Sequence, residues 1–473
     1  MPSIIYFFFA VAVLFFGYHI YGRFIERVFG ADDSRKTPCY SMADGVDYVE
    51  MPTIKVFLIQ LLNIAGVGPV FGPILGALYG PWALVWIVVG CLVGGGVQDY
   101  FSGMISIRNK GTSMPDIVGD NLGKIVKSFV AIFVIVVVVL VGVIFSSAPA
   151  SLLASVTPIP MTVWVLIIYA YYFFATILPI DKIIGRVYPI FAVALIIMAV
   201  GLTGALIFKG YDFYPSASFV NQHPQELPMW PLMCITIACG AVSGFHATQS
   251  PMMARCLKRE SLGRPVFYGA MVTEGLIALI WATIGMTFFH SPEILQEALA
   301  AGGPGKVVSD VSIALLGPVG GFLALLGVIA LPISTGDTAF RAARLILADM
   351  LNYQQKSNIS RLILTIPLFA AGVMISQAEF TALWRYLGWA NQILSVIFFW
   401  TIAVYLVRRK AFHWIASIPA MFMTAVCVTY ICYEKIGFSL PYWLSCFVGL
   451  GVAVAFLALM LYKRTSLEAR PTE

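Results

Sequence analysis

Charge is scarce in this chain. Only 11% of its 473 residues are charged while 60% are hydrophobic, against about 25% charged in an ordinary soluble domain. That excludes a water-soluble globule. Histidine is almost as rare, with five residues, and none of the eight cysteines stands in a C-x-x-C pair. A disulfide framework or a zinc site is therefore not expected, and the cysteines read as small apolar packing residues. The N-terminus carries no basic stretch and no small-residue cleavage site, so its first apolar run reads as a retained membrane helix, not a signal peptide. Gly94-Gly95-Gly96 is not followed by the Lys-Ser/Thr of a phosphate-binding loop. There is no H-E-x-x-H, no nucleophile elbow and no clustered His/Cys set to hold a catalytic metal. The sequence thus points away from an enzyme with a resident cofactor. With no ATP-hydrolysing domain, any uphill transport has to draw on an ion gradient.

What the chain does have is long apolar runs. A helix needs about 20 apolar residues to cross the hydrocarbon core. That length places spans near 3–22, 54–79, 82–107, 128–148, 161–178, 187–208, 230–254, 266–289, 314–337, 362–377, 389–407, 412–433 and 441–462, thirteen in all. When the connecting loops are put on alternating sides, 25 of the 29 Lys and Arg fall on one side. The exceptions are Lys209, Lys306, Arg385 and Lys435. Basic loops mark the cytoplasmic side, which predicts an outside N-terminus and a cytoplasmic C-terminus. The net charge of +6 then faces anionic lipid, not nucleic acid.

Two of the predicted spans are interrupted at their centres, at Ala65-Gly66-Val67-Gly68-Pro69-Val70-Phe71-Gly72-Pro73 and at Ile235-Thr236-Ile237-Ala238-Cys239-Gly240-Ala241-Val242-Ser243-Gly244-Phe245-His246-Ala247. Gly weakens a helix by roughly 1 kcal/mol relative to Ala. Broken backbone at membrane depth is tolerated only beside protein or a wet cavity. Each interrupted span opens a block of five, and because five is odd the blocks run in opposite directions. This is the pattern of an inverted repeat around a transporter's binding site. The predicted organisation is a first accessory helix and loop (1–53), repeat 1 (54–208), repeat 2 (209–407), and two accessory helices with a short tail (408–473).

A charged group at the bilayer centre costs roughly 2.5–3.5 kcal/mol, so the polar residues at depth are site candidates. Asp99, Glu274 and His246 stand out, with Ser334, Thr335, Asp337 and Thr338 as oxygen ligands within one helical turn. Arg341 lies four residues after Asp337, in range to pair with it. Each has a bland alternative: a helix-end carboxylate touching loop cations for Asp99, a structural pair for Glu274, hydrogen-bonded packing for His246, and an ordinary ion pair at a helix start for Asp337 and Arg341.

The second interrupted segment resembles the signature of the carbon starvation protein A family, and the likeness extends over nearly the whole chain. Asp44-Gly45-Val46-Asp47-Tyr48-Val49, Ile64 to Pro69 with Gly72-Pro73, Gln98-Asp99-Tyr100, Tyr268 to Glu274, Asp337 with Arg341 and Arg344, and Asn391-Gln392 are all similar to family motifs. The resemblance implies a bacterial inner-membrane transporter of the amino acid–polyamine–organocation superfamily, with a LeuT-like all-α fold. Members are described as peptide transporters induced on carbon starvation, and some as proton-coupled pyruvate importers. Ile59-Gln60 replaces a His pair of the long members, only the short segment 290–313 stands where they carry large insertions, and the region around Asp181-Lys182 follows them loosely.

The function expected is secondary active import of a small carboxylate or short peptide, coupled to H⁺ or Na⁺. Gly66, Gly68, Gly72, Gly240, Ser243, Gly244 and His246 are expected to form the substrate site, with backbone N–H groups of 66–72 and 240–244 turned to a carboxylate. Ser334, Thr335, Asp337, Glu274 and Asp99 are expected to handle the coupling ion, Ser334 and Thr335 as ligands if that ion is Na⁺, and Arg341 to act as a gate. The alternative is a channel or nutrient sensor, although only about ten residues follow the last span.

Overall fold

Hydrocarbon offers backbone groups no hydrogen-bond partner, so a chain this apolar has to pair its amides within each segment. Every regular element among the described residues is accordingly helical. The computed structural model describes residues 4–177, 184–215, 218–325, 329, 331–355, 357–378 and 380–469. In chain order the long elements are α1 (Ile4–Phe29), α2 (Thr53–Ala65), α3 (Gly68–Gly76), α4 (Trp82–Val89), α5 (Gly96–Arg108), α6 (Met114–Leu122), α7 (Lys124–Val156), α8 (Met161–Ile177), α9 (Ile184–Phe208), α10 (Met229–Thr236) and α11 (His246–Ala254). They continue with α12 (Gly269–Phe288), α13 (Pro292–Leu325), α14 (Leu331–Leu351), α15 (Asn358–Ile375), α16 (Phe380–Arg408), α17 (Trp414–Tyr433) and α18 (Tyr442–Tyr462). Short π-helical turns, Gly90–Gly95 and Arg264–Tyr268, join α4 to α5 and lead into α12.

Phe8, Phe9, Phe15 and Phe16 of α1, and Phe447, Leu450 and Val454 of α18, are exposed. Such faces are stable only against lipid, and the chain is a multi-pass membrane protein. Ten helices are long and apolar enough to cross a membrane among the described residues, or eleven when the bent pair α2–α3 counts as one span. That is fewer than the thirteen expected. The seventh expected span is cut into two short halves, α8 is a shorter apolar helix, and the ninth crosses positions outside the described residues. Segment 290–313, expected to be a loop, is helical from Pro292 and turns at Gly302, Gly303 and Gly317, where the backbone leaves helical angles. Asp181-Lys182 lie outside the described residues.

The basic loops gather on one face. Arg108 binds Glu260 at 3.0 Å and the Gly30 carbonyl at 2.5 Å. Arg255 Nε donates to Gly111 O at 2.9 Å, and Arg408 Nη1 to Asp120 O at 2.7 Å. On the opposite face Trp82 Nε1 reaches Phe219 O at 2.9 Å and Lys209 Nζ reaches Ala314 O at 2.8 Å. At the centre, α12 packs along α3, α11 against α5 and α2, and α14 along α7.

Candidate functional site

The first interruption is short. Helix α2 stops at Gly66, whose φ of 45° and ψ of −142° suit glycine, and the chain is helical again from Gly68 at a bend of 46°. A helix end leaves carbonyls without intrahelical donors, and Thr335 Oγ1 of α14 supplies one, donating to Leu62 O at 3.0 Å. The expected unwound stretch 66–72 is thus confined to Gly66 and Val67. Gly68 and Gly72 lie inside α3, where the reason for glycine is proximity: an added Cβ would strike the Cys239 side chain at Gly68 and the Thr236 carbonyl, 2.9 Å away, at Gly72.

The second interruption is long. Residues 237–245 separate α10 from α11, with Gly240 at φ 86°. Side chains from three other elements hold this segment. Trp86 Nε1 donates to Ile237 O at 2.9 Å, Gln98 Nε2 donates to Ser243 O at 2.5 Å, and Gln98 Oε1 accepts from Ser395. Asn391 Oδ1 accepts from the Phe245 amide at 2.6 Å, and its Nδ2 donates to Ser243 Oγ at 3.0 Å. Gly244 has no room for a side chain, since a Cβ there would overlap Asn391 O and Ser395 N. Gly94 and Gly95 allow the same approach from the third expected span, against Val242 and Ala241. The triple glycine serves close packing, Gly95 on the Ala241 carbonyl, Gly94 on the Val242 side chain and Gly96 on the Tyr268 ring.

Beside this segment lies a sealed polar centre. His246 Nδ1 is 3.1 Å from Asp99 Oδ2, and His246 Nε2 is 3.6 Å from Glu274 Oε2, with all three side chains fully buried. His246 opens α11, Asp99 sits on α5, and Glu274 on α12. Asp99 therefore faces His246 inside the protein instead of loop cations. Cys239 joins the group. One donor atom each from Cys239, His246 and Glu274 lies within 4.8 Å of the others. The sequence shows no clustered His/Cys set, but a tertiary contact places Glu274 of α12 beside Cys239 and His246.

A second cluster sits at the first interruption. Ser334, Thr335, Asp337 and Thr338 are buried, Thr335 faces α2, and Thr338 Oγ1 donates to Thr335 O at 3.0 Å. The structure thus divides the expected ion-handling residues between two places: Asp99 and Glu274 beside the second break, Ser334, Thr335 and Asp337 beside the first. Arg341 reaches out of its own helix. Its Nη1 lies 3.2 Å from Asp47 Oδ1 and its Nη2 2.6 Å from Ala175 O, while Arg344 Nη2 lies 3.6 Å from Asp47 Oδ2. Asp47, in the loop before α2, is thus the carboxylate that joins Arg341 to the basic face. Burial raises its pKa, but Arg344, Arg341, Arg255 and Arg361 outweigh this and hold it below the usual carboxylate value.

Between the two breaks is a cavity of about 310 Å³. Gly68, Gly72, Thr236, Cys239, Phe245 and Asn391 line its depth, and His223, Arg385 and Tyr430 line it toward the face opposite the basic loops. Gly68 begins a helix and Thr236 ends one, so partial charges of opposite sign meet the same space. Gly240, Ser243, Gly244 and His246 are buried behind this wall. Residues that local reasoning passed over, Trp86, Cys239, Gln98, Asn391 and Ser395, hold or line the site. Gln98, Asn391 and Cys239 carried a signal through motif resemblance; Trp86 and Ser395 carried none.

Comparison with known proteins agrees with this architecture. A family model described as carbon starvation protein CstA matches residues 2–163, 148–301 and 296–430. An uncharacterized membrane protein of Haemophilus influenzae is 44% identical over 351 residues, covering 63% of this chain and 95% of that protein. A peptide transporter CstA of Bacillus subtilis is 26% identical, over 61% of this chain and 62% of its own length. A protein of the same name from Mycobacterium tuberculosis is 25% identical, over 87% and 73%. Among solved structures, a manganese transporter of Eremococcus coleocola aligns with a TM-score of 0.56 over 91% of this chain and 99% of that one. At 13% identity the likeness is one of fold.

Proposed function

We propose that this chain, which belongs to the carbon starvation protein CstA family and is a membrane transporter, imports short peptides or comparably small carboxylates by secondary active transport coupled to H⁺ or Na⁺. The observation that carries this reading is the cavity between the two helix breaks, reaching one face while the Asp47–Arg341–Arg344 cluster closes the other. A channel needs a continuous path; a carrier needs a site reached from one side at a time. With the basic face cytoplasmic, the cavity is the outward-facing state of an importer of the bacterial inner membrane. The two interrupted spans then open two five-helix repeats of opposite direction, as in other transporters with midplane sites.

The cavity's size and polarity favour a short peptide over pyruvate. The cavity of about 310 Å³ has room for a solute larger than pyruvate. Its lining suits a zwitterion: the start of α3 at Gly68 attracts a carboxylate and the end of α10 at Thr236 an ammonium, with the Arg385 cation toward the mouth. Asp337, Ser334 and Thr335, packed on the first break, are the residues assigned to coupling. The test is uptake by proteoliposomes of labelled dipeptide and labelled pyruvate under imposed pH or Na⁺ gradients. Asp337→Asn is expected to abolish gradient-driven accumulation and spare exchange. Unchanged accumulation removes Asp337 from the mechanism, and failure of either gradient to drive any uptake removes the coupled-import reading.

A further inference from the structure

The sealed centre beside the second break sets one imidazole between two carboxylates. A carboxylate accepts hydrogen bonds, so Asp99 Oδ2 at 3.1 Å makes His246 Nδ1 the ring N–H. The other nitrogen, Nε2, faces Glu274 Oε2 at 3.6 Å, too far for a hydrogen bond. Among the described residues neither Nε2 nor either oxygen of Glu274 has a well-formed hydrogen bond, the Gly240 amide lying beside Glu274 and the Cys239 thiol beside His246, and both side chains are fully buried. Buried acceptors left unpaired cost about 1–3 kcal/mol each. The thiol of Cys239 completes the set within 4.8 Å and makes a long contact of 3.7 Å to Ser243 Oγ.

We propose that Cys239 Sγ, His246 Nε2 and the Glu274 carboxylate form a site for one divalent metal ion of the zinc class, with Asp99 as the positioning residue that fixes the tautomer and orientation of His246. Bonds of about 2.0–2.3 Å in a tetrahedral site put neighbouring ligand atoms roughly 3.3–3.8 Å apart; His246 Nε2 and Glu274 Oε2 at 3.6 Å fall in that range, and the Cys239 thiol, within 4.8 Å, closes in on binding. A carboxylate behind the distal ring nitrogen is the usual outer shell of a metal-bound histidine. A thiolate and an imidazole select zinc-class ions over Na⁺, Mg²⁺ and Ca²⁺, which prefer oxygen. Three protein ligands leave a fourth position. Cys239 also lines the solute cavity and is partly exposed, whereas His246 and Glu274 are sealed, so the ion's route in passes the thiol. This deepens the transport reading and rests on it only for the solute that shares the cavity.

Co²⁺ is the probe. The full-length protein in detergent, stripped with chelator, is expected to bind one Co²⁺ with a thiolate-to-metal charge-transfer band and the ligand-field spectrum of a four-coordinate site. Zn²⁺ displaces it and Mg²⁺ does not. Cys239→Ala abolishes the charge-transfer band, while Cys39→Ser, whose thiol is buried against Leu257 O, leaves it. Asp99→Asn keeps the band and weakens binding 10- to 100-fold. Should Cys239→Ala not fold, Glu274→Gln takes its place and is expected to lose the ligand-field spectrum. Absence of saturable Co²⁺ binding by a folded protein overturns the proposal, as does a charge-transfer band that survives Cys239→Ala. Loss of dipeptide uptake with Co²⁺ binding intact counts instead against the transport reading, so the two fail separately.

Discussion

In the proposed transport cycle, closure at the basic face rests on a loop carboxylate between buried guanidinium groups, and removing it should open that face. Arg341 and Arg344 are 1% and 0% exposed, and both are paired with Asp47. Deleting one partner of a buried pair costs about 3–5 kcal/mol, because a desolvated charge is left uncompensated. In Asp47→Asn the penalty falls on the closed arrangement, since opening rehydrates the arginines. At about 1.4 kcal/mol per factor of ten, the lower figure of about 3 kcal/mol shifts the closed-to-open ratio roughly 100-fold.

The chain carries its own reporter. Cys256 is fully buried against the Asp47 segment, its thiol 3.9 Å from the Asp47 carbonyl, and burial pushes its pKa up to about 12. Thiolate is the reactive form, so the closed protein should react slowly with a membrane-impermeant maleimide. Opening returns Cys256 to water and to an ordinary thiol. Labelling of Cys256, followed by mass spectrometry, should be about 100-fold faster in Asp47→Asn, with Cys256→Ser as the blank. The pH dependence has a definite sign. A carboxylate held below its ordinary value contributes stability that is complete above about pH 4 and lost only as pH falls through the lower folded value. The labelling ratio should therefore be the same at about pH 6 and about pH 8. Equal labelling of variant and wild type, with the variant folded, refutes the assignment of Asp47 to closure.

Two further substitutions probe the second break. Asn391→Ala leaves the Phe245 amide buried without its acceptor and should cost about 1–3 kcal/mol, measured as a drop in the thermal midpoint of the detergent-solubilised protein; a midpoint equal to wild type would show that the tie carries no stability. Gly240→Ala combines strain at φ 86° with overlap on Ala278. Adding Ala278→Gly should recover the overlap but not the strain, leaving a deficit of about 1–3 kcal/mol, and full recovery would mean that left-handed backbone is not why glycine stands there.

The sequence was most informative where physics acts on single segments. Apolar length located the helices, and the alternation of basic loops matched a face on which Arg108, Arg255 and Arg408 do bind neighbouring loops. Glycine at membrane depth located both interruptions but not their extent. The same residue type serves left-handed backbone at Gly66 and Gly240 and close packing at Gly68, Gly72 and Gly244. Composition cannot separate the two uses, because the second depends on what packs opposite.

Pairing was beyond reach for the same reason. Arg341 lies one helical turn from Asp337, and spacing within a helix suggested that partner. Its ion pair with Asp47 crosses 294 positions and depends on where the loop before α2 folds. The cost of burying charge singled out Asp99, His246 and Glu274 one by one, but that cost is an argument that partners exist, not which they are. Cys239 shows the limit most sharply. Alone on an apolar segment it reads as a small hydrophobe, and nothing within ten residues alters that reading except His246. Only when α12 brings Glu274 beside them do a thiol, an imidazole and a carboxylate face one another. Chemistry that no local motif carries then lies behind the cavity wall, with Cys239 alone of the three reaching the cavity.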